Sequence, residues 1–338
     1  MTKDPSIQEI QYAVNLLAPY ILPTPFLPNS WLSDLANRSN SLSNHLEKQI
    51  WVKWENLQLT GSFKIRGALN KMLRLKDLGV NEVLAVSAGN HGLGVAYAAQ
   101  KLSMAATIVV PKTAAVTKVR AISELGADLF AQGDNYDEAE LTARKLATER
   151  QVEFVSPYND KEVLIGQGTI ALEMLKQQPL DLIIAPVGGG GLLSGLAIAA
   201  TYFSPDNPID VIGIQPANST AMQSSFRAEE IVTVQESPTC ADGLAGNLEK
   251  DTYTFPLVKK YVKDIVTVTE EQIEQTIFNF LHHDHMVVEG SGAVAAAGLL
   301  GNAINLDKYK NIGVVVTGRN IDLSRLSKII EKYHHNSN

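Results

Sequence analysis

The chain has 338 residues, 45% of them hydrophobic and 19% charged, so it can bury a large core without metals or disulfides, and one or two globular domains are expected. A formal net charge of -7 with scattered basic residues offers no positive field for a phosphate backbone, which argues against nucleic acid as a partner. The single Cys240 can form no internal disulfide, the first nine residues lack an apolar core, and no run of about 18 apolar residues follows; secretion and membrane spanning are disfavoured and the cytoplasm is the expected compartment.

A first helix is predicted over 7–17. Pro19, Pro23, Pro25 and Pro28 then punctuate an extended stretch that should cross the surface of a core built later, and 39–44 reads as a Ser/Asn-rich loop. From Ile50 short apolar runs bounded by glycine alternate with alanine-rich or amphipathic segments of helical length. Strand–helix units are predicted at 82–87 with 91–102, 106–110 with 117–125, 127–132 with 136–149, and 182–187 with 192–202. Further strands are predicted at 210–214 and 312–317, and a short last helix at 323–333. Near-continuous Val/Ile/Ala runs suit strands covered on both faces. The alternation therefore predicts an α/β fold with two open, mostly parallel twisted sheets flanked by helices. A small domain, 80–156, is expected as an insertion into a large one made of 1–79 and 157–338, with the ligand in the cleft between them.

Two glycine-rich turns can hold anions. The strand at 182–187 runs into Gly188, Gly189, Gly190 and Gly191 and then into a helix, which puts free backbone N–H groups at a positive helix end, a cradle for phosphate. A tight turn without a ligand would need one or two glycines rather than four. Leu192 and Leu193 stand where a P-loop needs Gly-Lys-Ser/Thr, and Ser194 stands where the dinucleotide fingerprint needs its third glycine. A smaller phosphorylated cofactor fits better. The second turn, Ser87, Ala88, Gly89, Asn90, His91 and Gly92, offers backbone donors, a hydroxyl and an amide at another helix start, suited to a carboxylate or a phenolate-like oxygen. Helix capping is the alternative for Ser87 or Asn90 taken singly.

Lys64 lies in Glu55-Asn56-Leu57-Gln58-Leu59-Thr60-Gly61-Ser62-Phe63-Lys64-Ile65-Arg66-Gly67-Ala68. Ser62 is a good N-cap, and Ile65, Ala68, Leu69, Met72 and Leu73 keep one apolar face, so Lys64 is placed in the first turn of a helix. The positive helix end and partial burial favour the neutral amine that a Schiff base requires. From this segment alone, a solvated surface lysine is the competing reading.

Segment 55–68 resembles the lysine motif of fold-type II pyridoxal-phosphate enzymes. Followed in order by the turn at 87–92, the tetraglycine at 188–191 and Thr317-Gly318-Arg319-Asn320, it resembles the branch containing threonine/serine dehydratases (ammonia-lyases) and serine racemases. The resemblance implies pyridoxal 5'-phosphate as cofactor, with Lys64 forming the internal aldimine, Phe63 beside the ring, Asn90 on the ring hydroxyl, and Gly188, Gly189, Gly190 and Gly191 on the phosphate. It places the Gly243 backbone and Glu289 near the cofactor and the Thr317 hydroxyl opposite the pyridine nitrogen, where a hydroxyl limits the electron sink and favours prompt β-elimination. The implied reaction removes ammonia from a small β-hydroxy amino acid such as threonine or serine. Ser62 and the turn residues Ser87, Ala88, Gly89, Asn90 and His91 are the expected substrate carboxylate site. A homodimer or other homo-oligomer is implied.

Related racemases carry a serine where this chain has Ala88, and alanine holds no proton for a second face, so racemisation is expected to be weak or absent. β-Replacement synthases, a non-catalytic phospho-ligand binding protein and a dinucleotide enzyme are the remaining alternatives, and Lys64 separates the last two. Relatives that bind a divalent cation use carboxylates where this chain has Gln215 and Ala221, with a carbonyl near Ser219, so no tight Mg²⁺ or Ca²⁺ site is expected. His282, His283, Asp284 and His285 read as a solvated helix end, and His334 and His335 as a polar tail. Because only a short segment follows Asn320, no appended regulatory domain is expected.

Overall fold

The computed structural model describes residues 3–38, 46–301 and 303–334; the Ser/Asn-rich loop predicted at 39–44 and His335 lie outside the described residues. In chain order, α1 (Ile7–Leu17), β1 (Phe26–Pro28), α2 (Ser30–Arg38), β2 (Gln49–Trp54) and α3 (Lys64–Asp77) come first. The run β3 (Glu82–Val86), α4 (Asn90–Leu102), β4 (Ala105–Val110), α5 (Val116–Glu124), β5 (Asp128–Ala131), α6 (Tyr136–Arg150) and β6 (Glu153–Phe154) follows. The remainder comprises α7 (Lys161–Gln177), β7 (Leu182–Pro186), α8 (Gly191–Phe203), β8 (Asp210–Pro216), α9 (Ala221–Ala228), α10 (Thr254–Tyr261), β9 (Asp264–Val268), α11 (Glu270–Asp284), α12 (Gly290–Leu300), β10 (Asn311–Val316) and α13 (Leu323–His334).

These strands form two sheets. One is six-stranded, in the order β1-β2-β10-β7-β8-β9, parallel throughout except for the antiparallel edge strand β1. The other is four-stranded, β5-β4-β3-β6, and wholly parallel. The proline-rich stretch thus does more than cross the surface: Phe26 to Pro28 pair with Lys53 to Trp51, at an edge where proline's missing N–H costs no ladder bond.

The helix α7 has no counterpart among the predicted elements. Twelve of its seventeen residues are buried, so no apolar stripe marks it in the sequence. Its start is set by Asp160, whose side chain accepts from the N–H groups of Glu162 and Val163. Glycines let it approach its neighbours: a Cβ at Gly166 would lie 2.6 Å from the Arg66 carbonyl on α3, and one at Gly195 on α8 would lie 2.5 Å from the Leu164 carbonyl.

A buried ionic cluster ties β2, α3 and α7 together. The Arg66 guanidinium, fully buried, donates to both oxygens of Glu55 at 2.8 Å and to Glu173 at 2.6 and 2.8 Å, while Lys53 reaches Glu173 at 2.6 Å and the Thr24 carbonyl at 2.7 Å. Because Arg66 stands two residues after Lys64, the cluster also fixes the rotation of the helix that carries that amine.

Candidate active site

The carboxyl ends of β3, β7 and β10 open onto one cleft of about 730 Å³. Its wall includes Phe63, Lys64, the turn 87–91, the tetraglycine 188–191, Gly243, Glu289 and Thr317, which lie far apart in the sequence. Ligands of open α/β sheets sit at such strand ends.

Lys64 is the first residue of α3, and its Nζ donates to the Pro157 carbonyl at 3.0 Å. Burial pulls its ionisation from 10.5 down to about 8, against the opposing charge of Glu289. The expected cap is corrected: Phe63, not Ser62, is the N-cap residue, and no side chain caps the helix. The Phe63 N–H bonds to the Thr317 carbonyl at 3.1 Å and Ser62 bridges Gly318, so this stretch is held as an extension of the sheet edge. The Ser62 hydroxyl is buried without a hydrogen-bond partner and does not itself line the cleft.

The turn after β3 lines the cleft, and its Ser87 N–H is spent on the Val109 carbonyl at 3.1 Å. Ser87 Oγ accepts from the Gly89 N–H at 3.0 Å, and neither Ser87 nor Asn90 caps α4, whose N-cap is Gly89. The His91 ring is committed elsewhere: it is buried, its Nε2 lies 2.8 Å from the Val155 carbonyl, and burial, reinforced by the Lys64 charge, lowers its pKa to about 3 and keeps it neutral.

The four glycines meet more than a ligand's needs. Gly190 adopts φ +88°, a left-handed conformation that L side chains rarely take. A Cβ at Gly189 would lie 2.4 Å from the Tyr158 ring, one at Gly191 2.9 Å from the Tyr158 backbone, and one at Gly188 3.1 Å from the Leu244 backbone. Close packing by Tyr158 and Leu244 is thus a second reason for this composition. Among the described residues the N–H groups of Gly188, Gly189 and Gly190 have no protein acceptor, and they precede the thirteen-residue helix α8.

On the remaining side, Asn90 Nδ2 donates to Glu289 Oε1 at 2.5 Å, and Asn90 Oδ1 accepts from Asn320 Nδ2 at 2.6 Å. Glu289 is 8% exposed, and burial raises its carboxyl to about 7 despite the Asn90 bond. Thr317 Oγ1 donates to the Ser291 carbonyl at 3.2 Å, while Ser291 Oγ accepts from the Gly243 N–H at 3.0 Å. Lys118 on α5 reaches Asp242 at 3.2 Å, linking the two sheets' units across the cleft. Tyr158, Ser291, Asn320 and Lys118 had no role in the sequence reading. Asn320 alone carried a signal, as the last residue of a motif. Arg319 is exposed and absent from the cleft wall, so it faces outward.

A family model described as pyridoxal-phosphate dependent enzyme matches residues 18–318. The chain belongs to the pyridoxal-phosphate dependent enzymes. It is 42% identical to an L-threonine ammonia-lyase of Thermotoga maritima over 87% of this chain and 73% of that one. It is 38% identical to a catabolic L-threonine dehydratase of Staphylococcus aureus over 96% of this chain and 92% of that one. A solved structure of maize serine racemase superposes with a TM-score of 0.88 at 30% identity, covering 99% of this chain and 100% of that one.

Pyridoxal phosphate needs an amine for its aldehyde, donors for its phosphate and a polar partner for its ring oxygen, and these residues fit it. The cleft offers one buried amine with a lowered pKa, three unpaired backbone N–H groups at a helix start, and the Asn90 amide. Around the positions considered for a divalent cation, Gln215 Oε1 accepts from the Gln223 N–H at 3.0 Å and the Ser219 hydroxyl donates to the Glu236 carboxylate at 2.5 Å. At 282–285 the three histidines are exposed, as expected of a solvated helix end, and the structure adds a docking role for it. Asp284 accepts from Asn29 at 2.8 Å and from the Trp31 indole at 2.6 Å, and His283 stacks on Trp31, so this end docks α2 onto α11.

Proposed function

We propose that this pyridoxal-phosphate dependent lyase is an ammonia-lyase (dehydratase) that converts L-threonine, L-serine or a related β-hydroxy amino acid to a 2-oxo acid and ammonia. The observation that carries the reading is the desolvated Lys64 amine, in one cleft with the tetraglycine turn. The identity to an ammonia-lyase and a dehydratase over most of the chain supports the reaction class.

When bound, the cofactor supplies an electron sink for the pair left on Cα. The N–H groups of Gly188, Gly189, Gly190 and Gly191 would hold its phosphate, with the α8 dipole in support. Asn90 would donate to the ring oxygen, Phe63, Gly243 and Glu289 would flank the ring, and the Thr317 hydroxyl would serve its nitrogen. The backbone of Ser87, Ala88, Gly89, Asn90 and His91 holds the substrate carboxylate. The Lys64 amine, about half of it uncharged at pH 8, removes the Cα proton. The Cβ–O bond then breaks and the hydroxyl leaves as water with the proton that Lys64 took from Cα, and a second water hydrolyses the released enamine to 2-oxo acid and ammonia. Ala88 lines the same wall without an exchangeable proton, so a return proton from that face is not provided and elimination outruns racemisation.

We also take 80–156 as a small domain inserted into a large one formed by 1–79 and 157–338, and the protein as a cytoplasmic homodimer or other homo-oligomer. The lone Cys240 supports that compartment, and no helix among the described residues is long and apolar enough to cross a membrane.

The test is ammonia release across a panel of β-hydroxy amino acids, with an absorbance band at about 410–420 nm that borohydride or Lys64→Ala abolishes. The expected result is 2-oxo acid from threonine or serine. D-Serine appearing as fast as pyruvate from L-serine would overturn the assignment in favour of a racemase.

A further inference from the structure

Resting on the reading that Asn90 contacts the cofactor, we infer that Asn320 is a positioning residue that dictates which end of the Asn90 amide faces the cleft. The argument begins at a backbone carbonyl, which can only accept. Asn320 donates through Nδ2 to the Thr60 carbonyl at 2.9 Å, so the orientation of its own amide is settled. The same nitrogen donates its other hydrogen to Asn90 Oδ1 at 2.6 Å. Asn90 must therefore present nitrogen on its other side, where Nδ2 donates to Glu289 Oε1 at 2.5 Å. An amide nitrogen carries two hydrogens, and Glu289 takes one. The second remains for an acceptor in the cleft, which Asn90 lines. Without Asn320 only Glu289 distinguishes the oxygen of the Asn90 amide from its nitrogen, and that carboxyl, once protonated, can donate as well as accept.

The surrounding backbone supports this role. Gly61, at φ +75°, leaves room for the Asn320 side chain, since a Cβ there would lie 2.5 Å from Asn320 Oδ1. The Arg319 N–H bonds to the Gly61 carbonyl at 2.9 Å, and the Phe63 N–H to the Thr317 carbonyl. The loop carrying Asn320 is thus stitched to the residues just before Lys64. One side chain joins the start of the lysine helix to the start of α4, from which Asn90 projects.

The test is a thermodynamic cycle in apoenzyme titrated with pyridoxal 5'-phosphate, read by the cofactor's dissociation constant and absorbance maximum, with apoenzyme melting as a fold control. Asn320→Ala should weaken cofactor binding about three- to tenfold and move the absorbance maximum, the scale of one neutral hydrogen bond. In an Asn90→Ala background the same change should add less than about twofold, because nothing remains to be oriented. Equal weakening in both backgrounds would mean Asn320 acts only through the loop, and the inference falls while the Asn90 contact stands. An Asn90→Ala variant with unchanged affinity would remove the Asn90 contact and the inference together. Should Asn320→Ala not purify folded, Asn320→Asp keeps the volume but faces two acceptors with an oxygen, and the same comparison in both backgrounds decides.

Discussion

Replacing Lys64 by methionine in the cofactor-free protein isolates the cost of holding a cation in this cleft. Burial sets the amine's ionisation at about 8, against 10.5 for a solvated lysine. At about 1.4 kcal/mol for each pH step, the charged form is penalised by about 3 kcal/mol, and water entering the cleft reduces this to roughly 1–3 kcal/mol. Between pH 8 and 10.5 the unfolded chain still holds a proton that the folded chain has shed, so this group makes stability rise with pH across that window and leaves it flat on either side. Methionine has nothing to titrate. Urea unfolding of wild type and Lys64→Met, both free of cofactor, should show the variant's relative advantage at pH 7.5 shrinking by about 1–3 kcal/mol at pH 10.5, while other titrating groups cancel in the difference. A difference that stays constant between the two pH values would refute desolvation as the source of the lowered pKa.

Arg66→Met leaves the buried Glu55 and the half-buried Glu173 with Lys53 as their remaining cation, and urea unfolding should register a loss of about 3–5 kcal/mol; a loss under about 1 kcal/mol would contradict the ionic cluster as a structural tie. Gly189→Ala drives a methyl into the Tyr158 ring, so stability should fall by about 1–3 kcal/mol and cofactor retention with it. Tyr158→Ala in the same chain should recover part of that loss, and a double variant no better than the single one would place the crowding elsewhere. Glu289, raised from 4.5 to about 7 by burial, keeps its proton in the fold after the unfolded chain has lost it, so its contribution to stability declines as pH rises from 4.5 to 7. Glu289→Gln should flatten that part of the apoenzyme's pH–stability profile, and an unchanged slope would show that another group is responsible.

Much of this protein was legible in its sequence. The strand–helix units from β3 to α6, and β7 with α8, lie within a few residues of their predicted bounds, because parallel strands covered on both faces read as unbroken Val/Ile/Ala runs and their turns are marked by glycine. The order of the lysine, Ser87–Gly92, tetraglycine and Thr317 motifs was equally plain, being local patterns of residue type. Tertiary structure alone decided what depended on distant partners. The helix α7 is buried on nearly all sides and so has no periodic stripe, and β1 becomes a strand only by pairing with β2. Ser62 looked like a cap until Thr317 and Gly318 claimed its neighbourhood. The tetraglycine makes room for Tyr158, and Asn320 meets Asn90 across 230 residues. Residue type and spacing announce an amine and a phosphate cradle, whereas the direction in which an amide or a hydroxyl points is set by neighbours that only folding brings together.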